Sequence, residues 1–125
     1  MKKLIALAFA LVASVGFAAE FPDISVADLK QAIADKKVTV IDVNGAASYA
    51  NGHIPGAVNF AEAKADLASK LPADKGALVV AYCGGPACSA YKAAANAASQ
   101  LGYTNVKHLS AGISGWKAAN EALEK

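Results

Sequence analysis

Val79-Val80-Ala81-Tyr82-Cys83-Gly84-Gly85-Pro86-Ala87-Cys88-Ser89 is the stretch that decides how this 125-residue chain is read. An unbroken apolar run leads into a cysteine, the pattern of a strand covered on both faces. A Gly-Gly-Pro turn follows. Cys88 and Ser89 then open an alanine-rich segment. Alanine has the highest helix propensity, so a helix is predicted from Ser89 to Leu101, with Gly102 in the C′ place. A strand end feeding a helix start places the Cys83 thiol over backbone N–H groups and a positive helix terminus. Such surroundings lower a thiol pKa and make it a nucleophile.

Upstream, Val38-Thr39-Val40-Ile41-Asp42-Val43 is a second β-branched, nearly continuous apolar run, and Asn44-Gly45 ends it. A helix precedes it. Ser25 is its N-cap, Asp28 sits in the capping-box place, and Val26, Leu29 and Ile33 recur at helical spacing until Asp35-Lys36-Lys37. Between the two strands come a short helical turn over 46–51, a Gly/Pro-punctuated loop over 52–57 and a short strand over 58–60. A helix over 62–71 follows, with Ala63, Leu67 and Leu71 on one face, and then a turn over 72–76. Downstream, residues 103–109 contain a third core strand, 111–115 read as a loop, and 116–124 read as a final helix. Alternating strands and helices imply a parallel sheet with helices on both faces, an α/β fold of a single domain.

Residues 1–18 stand apart from that domain. Met1-Lys2-Lys3 is basic, and Leu4 to Phe17 is almost wholly apolar. The small residues around Ala18 suit a signal peptidase, so a cut is expected after Ala18, with Ala19 the next choice. The mature domain is then 19–125. The formal charge of +2 includes Lys2 and Lys3, and falls to about zero without them. A near-neutral domain offers no signature of nucleic-acid binding, and none of membrane binding once the signal is removed. Export points to an oxidising compartment, a bacterial periplasm, where two cysteines are expected to form a disulfide.

Three motifs occur in order. They are Val40-Ile41-Asp42-Val43 leading to Gly52-His53-Ile54-Pro55-Gly56-Ala57-Val58-Asn59; Tyr82-Cys83 with its loop and Ser89; and Gly102-Tyr103-Thr104-Asn105-Val106 running on to Ala111-Gly112-Ile113-Ser114-Gly115-Trp116. Together they resemble a single-domain rhodanese-like protein over essentially the whole mature chain. The resemblance implies a three-layer fold with a central, mostly parallel sheet. It also implies sulfur transfer without a cofactor. The loop cysteine attacks the outer sulfur of a donor such as thiosulfate and becomes a persulfide, and a thiol or other thiophilic acceptor takes that sulfur. Cys83 is then the nucleophile. The backbone N–H groups of Gly84, Gly85, Ala87, Cys88 and Ser89 are the expected cradle for the persulfide anion.

The sequence departs from the family pattern in ways that bear on substrate. Pro86 stands where glycine is common and supplies no N–H. Cys88 stands where the family often has a basic residue or a hydroxyl. Asn44 replaces an arginine, the acidic residue often found near Ser48 is missing, and the chain contains no arginine at all. A pocket poor in cations is therefore expected, with weak thiosulfate turnover or a different donor such as polysulfide or a protein persulfide.

Several residues keep two readings. Cys88 is either a resolving thiol that closes a disulfide with Cys83 or a small residue at a helix start. Asp42 either supports the loop or caps local backbone groups. His53 is read as holding its own loop, His108 as exposed, Trp116 as core, and Tyr82 and Tyr91 as packing beside the loop. Cys83, Cys88, His53 and His108 have the residue types of a zinc or copper(I) site, but their spacing supports none, and no metal is assigned. Three functions stay open: a periplasmic sulfurtransferase, a thiol–disulfide redox protein using Cys83 and Cys88, and a non-catalytic module that binds an anion or a partner protein.

Overall fold

A computed structural model describes residues 21–125; the expected signal segment lies outside the described residues. The elements in chain order are α1 (Val26–Ala34), β1 (Val38–Asp42), α2 (Ala46–Asn51), β2 (Val58–Asn59) and α3 (Phe60–Ala63). A 3₁₀ segment (Lys64–Lys70), β3 (Leu78–Tyr82), α4 (Tyr91–Gln100), β4 (Asn105–His108) and α5 (Gly112–Ala118) follow. The four strands form one parallel sheet in the order β2-β1-β3-β4. The expected α/β fold with helices on both faces is the one observed.

The two β-branched runs are the central strands, and both faces of each are covered. Strand alternation divides the core. Ile41, Val79, Ala81 and Val106 pack with Leu67, Leu71, Ala94, Ala95 and Ala98 on the face carrying α3, the 3₁₀ segment and α4. Val40, Val80 and Tyr82 pack with Leu29, Ile54, Leu109 and Trp116 on the opposite face, under α1 and α5. Each fully buried aliphatic side chain contributes about 1.5–3 kcal/mol of transfer free energy. α1 starts as expected, with Asp28 N–H donating to the Ser25 hydroxyl at 3.0 Å.

Three elements differ from the sequence reading. The helix expected over 62–71 begins at Phe60, where the Asn59 side chain accepts from Ala61 N–H; it passes into 3₁₀ geometry at Lys64 and is kinked by the non-helical Asp66 (φ −144°, ψ 49°). Ala63, Leu67 and Leu71 nevertheless face the core. α4 begins at Tyr91 rather than Ser89, because Ser89 and Ala90 carbonyls accept i+3 bonds from Lys92 and Ala93. The last helix runs earlier than expected. α5 starts at Gly112 and ends by Asn120, which adopts φ 60°. The tail then turns back, Trp116 Nε1–H donates to Ala122 O at 2.7 Å, and Glu124 pairs with His53 as an antiparallel bridge.

Chain order and sheet order reverse between β1 and β3. The chain moves outward from β1 to β2, then crosses back to β3 on the other side. In parallel α/β sheets such a switch point opens a crevice beyond the strands' carboxyl ends. Cys83 lies there, one residue past β3.

Candidate active site

Register decides which side chains meet at that sheet end. Asp42 pairs with Tyr82, and Ala81 pairs with His108. Cys83 continues the alternation of β3, so it points to the α4 face and is 3% exposed. Tyr82 points the other way.

The loop after Cys83 is held from behind by the start of α5. Ile113 N–H donates to Cys83 O at 2.9 Å, and Ser114 N–H donates to Gly84 O at 3.0 Å. In a trans peptide the carbonyl and the next N–H point in opposite directions. The N–H groups of Gly84 and Gly85 therefore point away from α5. Gly112 makes this contact feasible. A Cβ there would lie 2.5 Å from Gly84 C and Gly85 N, and its φ is +63°. The Gly112-Ile113 segment, read from sequence as loop, is the buttress of the site.

The cradle is smaller than the sequence reading expected. Cys88 N–H donates to Gly85 O at 3.0 Å and is committed to closing the turn. Among the described residues no backbone carbonyl takes the N–H of Gly84, Gly85, Ala87 or Ser89. Cys88 contributes its sulfur instead: Cys83 and Cys88 are joined in a disulfide, with Cα atoms 6.3 Å apart. That separation lies inside the usual range for a disulfide.

A pocket of about 180 Å³ opens over the two cysteines, walled by Pro86, Tyr91, Lys92, His108 and Ser110 among others. The cation-poor pocket expected from sequence is corrected here. Lys92 reaches it from the first turn of α4, and His108 from the end of β4. Sequence reasoning searched for cations beside the nucleophile and missed both. Lys92 follows Cys88 by four residues, the spacing that shares a face once the chain turns helical. His108 had no such signal, because only the β3–β4 register brings it there. Its ring meets Tyr91 edge-on, with centroids 4.0 Å apart, and its Nε2 lies 3.8 Å from Asp23 Oδ1. Asp23 also accepts from Ser110 N–H at 2.8 Å. Lys92 thus brings an amine side chain to the pocket, and Asp23 sets a carboxylate beside His108.

Asp42 and His53 do other work. Asp42, 1% exposed, accepts from Asn44 N–H at 2.7 Å and from the Tyr82 hydroxyl at 2.5 Å. Tyr82 in turn accepts from Ile54 N–H at 3.1 Å. Burial first, and the bond to Asp42 second, push the Tyr82 pKa well above its ordinary value of 10.0. The chain of bonds ties β1 to β3 and to the loop before β2, on the face away from the cysteines. His53 stacks on Tyr49 at 3.6 Å, its Nδ1 lies 2.8 Å from Tyr49 O, and its Nε2 lies 3.4 Å from Glu124 Oε1. Glu124 also accepts from Gly56 N–H at 2.8 Å, so the tail clasps the Gly-His-Ile-Pro-Gly loop. Among the described residues no cluster of three His, Cys, Asp or Glu side chains is placed to hold a metal ion.

Comparison with known proteins agrees with this geometry. The sequence profile of the rhodanese-like domain matches residues 25–119. The chain is 36% identical over 90 residues to an HTH-type transcriptional regulator of Mycobacterium tuberculosis, covering 71% of this chain and 38% of that protein. It is 35% identical over 101 residues to the thiosulfate sulfurtransferase GlpE of Shewanella oneidensis, covering 80% of this chain and 96% of that one. Among solved structures, a thiosulfate sulfurtransferase of Pseudomonas aeruginosa superposes with a TM-score of 0.71 at 26% identity, over 93% of this chain and 22% of that chain. With Cys83 at the strand end, the backbone-lined loop behind it and a profile match over most of its length, this chain belongs to the rhodanese-like family.

Proposed function

We propose that the protein is a sulfurtransferase that carries sulfane sulfur as a persulfide on Cys83. The observation that carries this reading is the loop geometry. Carbonyls of Cys83 and Gly84 are anchored to α5, which turns the following N–H groups away from the buttress and leaves them uncommitted beside the cysteine. Donors fixed before the reaction stabilise charge that develops on sulfur. In the forward step the Cys83 thiolate attacks the outer sulfur of the donor. The donor's S–S bond breaks, and the remainder leaves with the electron pair, as sulfite from thiosulfate or as a shortened polysulfide. A thiol acceptor then attacks the outer sulfur of the persulfide.

The substrate class is an anionic sulfane-sulfur compound, polysulfide or thiosulfate. Lys92 supports the anion requirement, and the thiosulfate sulfurtransferase relative supports the reaction class. Export to a bacterial periplasm rests on the residue pattern of Met1 to Ala18. The disulfide supports an oxidising compartment and also favours the second reading, a thiol–disulfide redox protein.

Mass spectrometry of the reduced chain after anaerobic incubation with thiosulfate or polysulfide tests the reading. Uptake of one sulfur by Cys88→Ser, in which Cys83 has no neighbouring thiol, and no uptake by Cys83→Ser is the expected outcome. Lys92→Gln should raise KM for thiosulfate about two- to fivefold with little change in kcat, the loss of one partly screened charge contact. Closure of the cysteine pair with no sulfur taken up by any variant would leave the redox protein. Neither change would leave a binding module.

A further inference from the structure

We propose that Cys88 resolves the Cys83 persulfide by internal attack and releases sulfide, so that the protein reduces sulfane sulfur with electrons from a dithiol. The inference rests on the persulfide reading of Cys83 and adds the fate of the sulfur.

Position carries the argument. The two sulfurs are bonded while the strand, the loop and the helix that hold them stay in place. The loop's anchors are the bonds Ile113 to Cys83, Ser114 to Gly84 and Cys88 to Gly85, all between backbone groups. Opening the S–S bond disturbs none of them, so the two sulfurs remain neighbours after reduction. A persulfide on Cys83 then presents its inner sulfur to the Cys88 thiolate. An intramolecular thiol acts at an effective concentration far above that of a free thiol in solution. Internal closure therefore competes with transfer to any external acceptor.

The step balances. Cys88 thiolate forms a bond to Cys83 Sγ with its own electron pair. The Sγ–S bond of the persulfide breaks and its pair leaves on the outer sulfur, which takes the proton given up by the Cys88 thiol and departs as hydrosulfide. Two cysteine thiols are oxidised to one disulfide, and one sulfane sulfur is reduced to sulfide. A dithiol restores the pair, and burial sets the direction of its attack. Cys83 is buried at 3% exposure, whereas Cys88 is only partly buried at the pocket wall. The incoming thiolate reaches Cys88 Sγ, forms a mixed disulfide there, and expels Cys83 as the thiolate beside the loop N–H groups and Lys92. A stabilised, lower-pKa thiol is the better leaving group. The second thiol of the reductant attacks its own sulfur in the mixed disulfide and frees Cys88.

The test is a single turnover with the reduced, desalted full chain and thiosulfate labelled in its outer sulfur. Expected for the unmodified chain is labelled sulfide close to one equivalent, with the protein left two hydrogens lighter. Cys88→Ser and, as a second variant, Cys88→Ala should hold the added sulfur and release no labelled sulfide until an external thiol is supplied. Retention of the sulfur adduct by the unmodified chain as fully as by the two variants, without sulfide, would overturn the inference and leave the persulfide reading standing. Failure of both variants to take up sulfur from thiosulfate, and from polysulfide in parallel, would overturn the persulfide reading and this inference with it. Direction of attack is read separately. The oxidised chain treated with limiting glutathione and quenched with an alkylating agent should carry glutathione on Cys88 and the alkyl label on Cys83 in peptide mass spectra, and glutathione on Cys83 instead would overturn Cys88 as the point of entry.

Discussion

Tyr82 and Cys83 are neighbours in sequence and face opposite sides of the sheet. That alternation gives one residue to the pocket and the other to a buried bond network. Tyr82 is 0% exposed and keeps its proton because its phenolate would be desolvated and set against Asp42. Its folded pKa is raised above 10.0, so its contribution to stability is complete below pH 10 and lost as pH rises beyond it. The unfolded chain releases the proton there while the folded chain retains it. Stability should fall above pH 10 by up to about 1.4 kcal/mol per pH unit from this group. Tyr82→Phe should remove that component of the alkaline slope. At pH 7 it should destabilise by about 1–3 kcal/mol, because Asp42 and Ile54 N–H lose a buried partner. Urea titrations between pH 7 and 11 on both proteins check this, and an unchanged alkaline slope in the variant would contradict it. Asp42 and Tyr82 were visible in the sequence as strand-end residues, but their pairing was not. It depends on the β1–β3 register, which no local pattern specifies.

The buttress of the cysteine loop is the amino end of α5, and its key residue is a glycine. Ala111 to Gly115 look like loop in sequence because glycine is a poor helix former. In the fold Gly112 is glycine for a tertiary reason, the close passage of the Gly84–Gly85 backbone. Gly112→Ala must strain a left-handed residue and displace that backbone, a cost of at least about 2 kcal/mol. Sulfur uptake at Cys83 should fall with it. Gly76→Ala is the control, since a Cβ there meets only the Asp74 carboxylate at 3.4 Å. Thermal melts and sulfur-uptake assays on both variants check the contrast; equal behaviour would remove the buttress role. The tail beyond Asn120 is a similar case. Its Glu121-Ala122-Leu123-Glu124 run suits a helix, yet the left-handed Asn120 and the two backbone bonds between Glu124 and His53, both 2.8 Å, take it into a clasp. Local propensity lost to long-range pairing there.

Across the whole molecule the Cys83–Cys88 bridge is a small covalent loop, five residues apart in sequence, in a single domain. Loop-closure entropy for so short a ring gives about 2 kcal/mol of stabilisation in the oxidised state. Reduction should lower the melting temperature on the order of 10 °C, and the Cys83→Ser,Cys88→Ser double variant should melt near the reduced protein whether or not reductant is present. Calorimetry with and without reductant checks this.

The alternation of two β-branched runs with helical segments determined the parallel α/β architecture, since periodicity and residue type are local properties. The strand-end cysteine and its glycine loop located the candidate nucleophile for the same reason. Tertiary structure alone decided what surrounds it. The β3–β4 register brought His108 to the pocket, the first turn of α4 brought Lys92, and the loop's closing turn committed Cys88 N–H while its sulfur bonded to Cys83. Each of these depends on where distant backbone segments pack and hydrogen-bond, and the order of residues along one chain does not encode such distances locally.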